Sequence, residues 1–170
     1  MTVSDAMNRQ LNEQIANELG SYYTYLAMSC ELFDMGYKVL SKFFSRQAEE
    51  ERGHAMKFLH YLQEVGSPVR LAALPAPKTS FGSPLAIAQG ALDQEQIVTR
   101  QIHELVALAE KDRDYPTQSF LTWFVDEQVE EVRSMRDLVQ LIQRAGDQHL
   151  LFAEHRVAQM MAEAAEEDDD

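Results

Sequence analysis

The chain has 170 residues and 19.4 kDa, with 45% hydrophobic and 25% charged residues, 7 Gly and 5 Pro. That size favours one domain with a sizeable core, and that composition excludes collagen-like, low-complexity and wholly disordered chains. The formal net charge of −13, from 28 Asp+Glu against 15 Lys+Arg, argues against a nucleic-acid partner, since phosphate binding runs on basic side chains, and makes cations the natural partners.

The N-terminus, MTVSDAMNRQ, has no signal-peptide apolar run, and no stretch approaches 18 uninterrupted apolar residues, so no membrane span is expected. Leu11, Ile15, Glu18, Tyr22, Tyr25, Ser29 and Leu32 then step by 4 and 3, the period of one helical face. The single Cys30 lies here. It excludes an internal disulfide and a cysteine-cluster metal site, and reads as a small buried thiol in a reducing, cytoplasmic setting. Gly36 ends this helix. The second stripe is Leu40, Phe44, Gln47, Glu51, His54, Phe58 and Leu62. Gly66 to Ser83 holds Pro68, Pro75 and Pro77 and reads as a long connection. Ser83-Pro84 reads as an N-cap followed by Pro at the first helical position. The third stripe is Leu85, Ala88, Leu92, Glu95, Val98, Ile102, Leu105 and Ala109. After a break at Asp112, Asp114 and Pro116, the fourth is Leu121, Phe124, Gln128, Glu131, Met135, Leu138 and Ile142. Gly146-Asp147 reads as a C-terminal glycine and a new N-cap, opening a shorter fifth helix from about Asp147 to Ala165. The expected domain is therefore 1–165, with an acidic tail at 166–170.

The short breaks make helices one and two, and three and four, antiparallel neighbours. An extended 18-residue connection reaches about 60 Å, more than the roughly 42 Å of a 28-residue helix. It can run the length of the bundle and make helices two and three parallel. The predicted fold is all-α: a four-helix bundle with one long crossover and a short fifth helix.

Polar groups interrupt the apolar stripes: Glu18; Glu51 with His54; Glu95; Gln128 with Glu131. An unpaired buried carboxylate is costly, so such groups pair or bind metal. Glu18 lies 18 residues before Gly36, and Glu51 and His54 lie 15 and 18 after it. Glu95 lies 19 before Asp114, and Gln128 and Glu131 lie 14 and 17 after it. At about 1.5 Å per residue, all six meet near mid-bundle. An isolated E-x-x-H occurs by chance, but four helices bringing polar groups to one height is not easily explained that way. Carboxylates with one imidazole suit iron or manganese. His60 and His103 read as surface residues, His149 and His155 have no assigned role, and the methionines read as core filling.

LNEQIANELGSYYTY, RQAEEERGHAMKFLHYL, LDQEQIVT and DYPTQSFLTWFVDEQVEEV, over roughly residues 8–155, resemble the ferritin family, and within it the bacterial non-haem ferritins. The resemblance implies an iron-storage ferroxidase. It would oxidise Fe(II) with dioxygen or peroxide at a di-iron centre and hold ferric mineral inside a homo-oligomeric shell of 24 subunits. Glu18, Glu51 and His54 match the first iron site, with Glu51 bridging; Glu95, Gln128 and Glu131 match the surroundings of the second. Tyr25 matches a tyrosine beside the centre that hydrogen-bonds a ligand and supplies an electron, and Trp123 matches a nearby tryptophan that also donates one. Glu50, Glu127 and Glu130 match a third iron site that shares Glu131. The haem-ligating Met of bacterioferritins has no counterpart beside Glu51-Arg52-Gly53-His54, so no haem is expected. Gln118 and Leu121 stand where animal ferritins carry acidic channel gates. A di-iron redox enzyme of the same superfamily, acting on peroxide or an organic substrate, is the alternative. It would show a second E-x-x-H, where this chain has Gln128-Val129-Glu130-Glu131. A metal-free helical module would leave the core carboxylates without a cation. Of the 28 acids, the seven matched glutamates and six at the C-terminus (Glu163, Glu166, Glu167, Asp168, Asp169, Asp170) account for the whole excess of 13.

Overall fold

A computed structural model describes residues 2–167. The Ser4 hydroxyl accepts from the Met7 N–H at 3.2 Å and starts α1, Asp5–Asp34. Gly36 turns the chain at φ 91°, a conformation that suits glycine. α2 then runs Lys38–Glu64. The connection 65–83 leads to Ser83, whose hydroxyl accepts from the Ala86 N–H at 3.1 Å. Pro84 is the first residue of α3, Pro84–Asp112, as the spacing predicts. Asp114 accepts from the Thr117 N–H at 3.2 Å and caps α4, Tyr115–Ala145. A 3-10 turn at Asp147–His149 precedes α5, Leu150–Glu167. No strand occurs among the described residues.

Cross-helix contacts give the topology. On α1 and α2, Ser29 meets Ser41, Tyr25 meets Phe44, and Glu18 meets His54, so the pair is antiparallel. On α1 and α3, Ser21 meets Gln94 and Tyr25 meets Ala91, again antiparallel. Helices α2 and α3 are therefore parallel, which the long connection makes possible. Gln47 with Glu131, and Tyr61 with Thr117, set α4 antiparallel to α2.

Two apolar clusters fill the bundle. One includes Tyr25, Met28, Leu32, Leu40, Phe44, Ala88, Met135 and Leu138. The other includes Leu11, Ile15, Phe58, Leu62, Ile102, Leu121 and Phe124. Each large aliphatic or aromatic side chain stabilises the fold by about 1.5–3 kcal/mol through burial. The interrupting polar residues of the four stripes fall between these clusters.

Helix α5 packs on α2 and α4 through Leu150, Ala153 and Val157. Tyr37 offers α2 no side-chain cap. Glu154 supplies one from α5, its Oε1 accepting from Val39 N–H at 2.8 Å and Leu40 N–H at 3.2 Å. Carboxylate at a helix N-terminus satisfies orphan donors and opposes the positive end of the dipole.

Four expectations are corrected. Asp147 is no N-cap: Gly146 adopts φ 62°, Asp147 opens a single 3-10 turn without a side-chain cap, and α5 starts at Leu150. Cys30 is exposed, because the face carrying Ser29 and Leu32 turns it outward beside Tyr23 and Leu26. Leu85, in the first turn of α3, is partly exposed at the bundle end. The methionines divide: Met7, Met28 and Met135 are buried, Met35 is exposed, and Met160 and Met161 line a cavity. His60, His103, His149 and His155 are all exposed. Of the acidic tail proposed for 166–170, residues 168–170 lie outside the described residues, and 166 and 167 continue the helical backbone. No helix among the described residues is long and apolar enough to cross a membrane.

Candidate metal centre

The antiparallel pairings bring Glu18 from α1, Glu51 and His54 from α2, Glu95 from α3, and Gln128 and Glu131 from α4 into one layer. All six are at most 5% exposed. His54 Nδ1 lies 3.6 Å from Glu51 Oε1 and 3.9 Å from Glu18 Oε2. One ligand atom from each of these three residues falls within 4.8 Å of the others. The i, i+3 spacing of Glu51 and His54 puts both on the same face of α2. Around the other edge of the ring, His54 Nε2 lies 3.8 Å from Glu127 Oε1, and His54, Glu127 and Glu131 form a second group that could hold an ion.

The hydrogen bonding of this layer is incomplete in a specific way. Glu18 Oε1 accepts from Gln14 at 2.8 Å, and Glu131 Oε2 accepts from Gln47 at 3.0 Å. Glu95 accepts from the Tyr25 hydroxyl and from Gln128 Nε2, the latter at 3.3 Å. Gln128 Oε1 accepts from Thr99 Oγ1 at 2.8 Å, so the amide is oriented between Thr99 and Glu95. Glu18 Oε2 and both oxygens of Glu51 are buried and receive no hydrogen bond from any other side chain or amide among the described residues, so that only a proton shared between the two carboxyls relieves them. Buried polar atoms are nearly always satisfied, and two of these acceptors, Glu18 Oε2 and Glu51 Oε1, lie within 3.9 Å of His54 Nδ1. A divalent cation would satisfy them.

The electrostatics agree. Burial drives Glu18 up to about 7, with the Glu95 charge adding to it against the Gln14 hydrogen bond. Burial, then the charges of Glu95, Glu50 and Glu127, raise Glu131 to about 9. Glu51 is pushed well above the carboxylate range by burial and then by Glu18, Glu95 and Glu131, and Glu95 is raised chiefly by burial. Burial, then the charge of Lys57, lowers His54 to about 4, leaving a neutral imidazole able to bind a metal. Without a cation, protons neutralise the carboxylates; a cation would displace them.

The ferritin-like domain family matches residues 8–145. The chain belongs to the ferritin family. The bacterial non-heme ferritin of Staphylococcus haemolyticus is 40% identical over 137 residues, covering 81% of this chain and 82% of that protein. The bacterial non-heme ferritin of Staphylococcus saprophyticus is 42% identical over the same length and shares. An open-pore ferritin of the archaeon Archaeoglobus fulgidus superposes with a TM-score of 0.89 at 38% identity, covering 91% of this chain and 96% of that one.

In this ferritin, Glu50, Glu127, Glu130 and Glu131 line a cavity of about 700 Å³ bounded by α2, α4 and α5. Arg46 and Arg133 share its wall, and Arg46 pairs with Glu50 at 3.0 Å. Trp123 packs edge-on to His54 at 5.5 Å between ring centroids, and is 39% exposed.

Three contributors were not assigned from sequence. Gln14 stands four residues before Glu18, and Gln47 four before Glu51. Amides spaced one turn from core carboxylates were the signal for both. Lys57, three residues after His54, sets its ammonium 2.9 Å from the Trp123 ring centroid. Nothing in the residue pattern marks that contact.

Proposed function

We propose that this chain oxidises Fe(II) to Fe(III) with dioxygen or peroxide at the mid-bundle layer and stores ferric iron inside a homo-oligomeric shell. The observation that carries the reading is the buried carboxyl oxygens of Glu18 and Glu51, reached by no other side-chain or amide donor, beside a neutral His54. Membership of the ferritin family and relatives named bacterial non-heme ferritins support iron as the cation.

In this reading Glu18, Glu51 and His54 hold the first iron, with Glu51 bridging to the second. Glu95 and Glu131 hold the second, and Gln128 orients Glu95 through its amide. Two carboxylates and an imidazole bind the first iron more firmly than carboxylates with an amide neighbour bind the second. That inequality suits an ion that must move on to a store. Tyr25, donating to Glu95, steadies the carboxylate of the looser site. Glu50, Glu127 and Glu130, sharing Glu131, form a third site on the cavity wall, on the way from the centre to the shell interior. The shell is a 24-mer, the location is cytoplasmic, and 1–165 form the single domain, with the acidic tail following.

The test is ferric absorbance after Fe(II) is added in air. The native chain accelerates its growth over buffer, and Glu51→Ala with His54→Ala loses most of that acceleration. Equal rates for the two chains would refute the assignment. Sedimentation of 24 copies of a 19.4 kDa chain should give about 466 kDa; a stable monomer or dimer would contradict the shell.

A further inference from the structure

The rings between α2 and α4 do not stop at the metal centre. Trp123, packed on His54, meets Phe124 at 4.9 Å between centroids. Phe124 meets Phe120 at 5.3 Å, and Phe120 lies flat on Tyr61 at 4.0 Å with 7° between the planes. The column is unbroken from His54 to the end of the bundle, and its last ring is the only one in it carrying a hydroxyl.

That hydroxyl has a directed path for its proton. Tyr61 Oη lies 2.7 Å from Thr117 Oγ1, and Thr117 Oγ1 donates to Asp114 Oδ2 at 2.6 Å. A threonine hydroxyl has one proton. Since it goes to Asp114, Tyr61 is the donor to Thr117. Tyr61 is 8% exposed and Thr117 fully buried. Satisfying a buried phenol requires one partner; it does not require a carboxylate behind that partner, nor a ring column leading back to His54.

We propose that an oxidising equivalent taken up by Trp123, the electron donor the family resemblance implies, passes through Phe124 and Phe120 to Tyr61, with Asp114 taking the proton through Thr117. The proposal rests on the ferroxidase reading above. Where only one of the two iron sites is filled, Fe(II) and hydrogen peroxide give Fe(III), hydroxide and a hydroxyl radical, because no second Fe(II) is there to supply the other electron. The radical takes one electron from Trp123 and becomes hydroxide. Trp123 regains an electron from Tyr61, with Phe124 and Phe120 as the intervening medium. Tyr61 passes its proton to Thr117 as Thr117 passes its own to Asp114. The sum is hydroxyl radical, tyrosine and carboxylate going to hydroxide, tyrosyl radical and carboxylic acid. Lys57 gives the relay its direction. Its ammonium over the Trp123 face favours the neutral indole and repels a positive hole. Tyr61, losing its proton, carries the hole without net charge. The relay thereby removes oxidising equivalents from the ligand set.

The test uses the full chain, loaded without oxygen with less Fe(II) than fills both iron sites and given repeated small additions of hydrogen peroxide. Peptide mapping by mass spectrometry then locates oxidised tyrosine. The relay predicts modification at buried Tyr61 several-fold above that at exposed Tyr23 and Tyr115. Thr117→Val should lower the Tyr61 yield several-fold while ferric absorbance grows at an unchanged rate. Modification at Tyr23 and Tyr115 with Tyr61 intact, alongside normal ferric absorbance, would overturn the relay alone. No acceleration of ferric absorbance would remove the ferroxidase reading and the relay with it. Tyr61→Phe keeps the ring and its stacking, and guards against a loosened bundle end in Thr117→Val. Freeze-quenched electron paramagnetic resonance should show a smaller tyrosyl signal in that variant than in the native chain. An undiminished signal would overturn the proposal.

Discussion

The Tyr25 hydroxyl on α1 donates to the Glu95 carboxylate on α3, in a layer where both side chains are fully buried. Gln128 supplies the other oxygen of Glu95 with its only other donor among the described residues, at 3.3 Å. Tyr25→Phe therefore leaves one buried carboxylate oxygen without a hydrogen bond while keeping the ring packed on Phe44. Such a loss costs about 1–3 kcal/mol. Urea unfolding of the metal-free variant should show it, and saturation with a redox-inert divalent cation should reduce the difference. An unchanged unfolding midpoint would mean that Glu95 is held by other means.

The raised carboxylates make the metal-free protein pH-sensitive. Glu18, raised to about 7, and Glu131, raised to about 9, keep protons in the folded state that an unfolded chain releases near 4.5. The folded state then binds more protons across that interval, so stability falls as pH rises. His54, lowered from 6.5 to about 4, acts oppositely, adding stability as pH rises to 6.5. Between pH 6.5 and 9 the carboxylates act without that opposition. The metal-free melting temperature should fall over this window, and a divalent cation in excess should flatten the fall. A melting temperature that rises from pH 6.5 to 9 would contradict the assignment.

Glu154 ties the fifth helix to the start of the second through the Val39 and Leu40 amides. Replacing it by Ala removes a helix cap, a change of about 0.5–2 kcal/mol. Hydrogen exchange at Val39 and Leu40 should quicken in Glu154→Ala, and the exposed Leu151 and Phe152 of α5 should lose their fixed placement. A shell that depends on α5 would then sediment with a smaller assembled fraction. Unchanged exchange at both amides would show that the cap contributes nothing.

The bundle was legible in sequence because its signals are periodic and local. Glu51, His54, Gln128 and Glu131 stand out as polar residues on otherwise apolar faces, and their distances from Gly36 and Asp114 set their common height. Periodicity gives the face of a residue, not its partners. It could not show that Gln128 turns its amide to Glu95 and its oxygen to Thr99, nor that Glu154 caps a helix more than a hundred residues away. Cys30 departs from expectation for a related reason: its residue type favours burial, although its neighbours Ser29 and Leu32 already define the buried face. Asp147 carries the residue type of an N-cap, but the backbone at Gly146 delays the helix by one 3-10 turn.

In the proposed reading, Glu18, Glu51 and His54 form a cation site joined to a second one at Glu95 and Glu131. Anaerobic Fe(II) titration of the assembled protein, followed by native mass measurement, tests it most directly. Each subunit should hold about two irons tightly and a third more weakly, release protons on binding at pH 7, and lose the tight pair in Glu51→Ala with His54→Ala. Unchanged iron binding in that double variant, or no tight binding by the native chain, would contradict it.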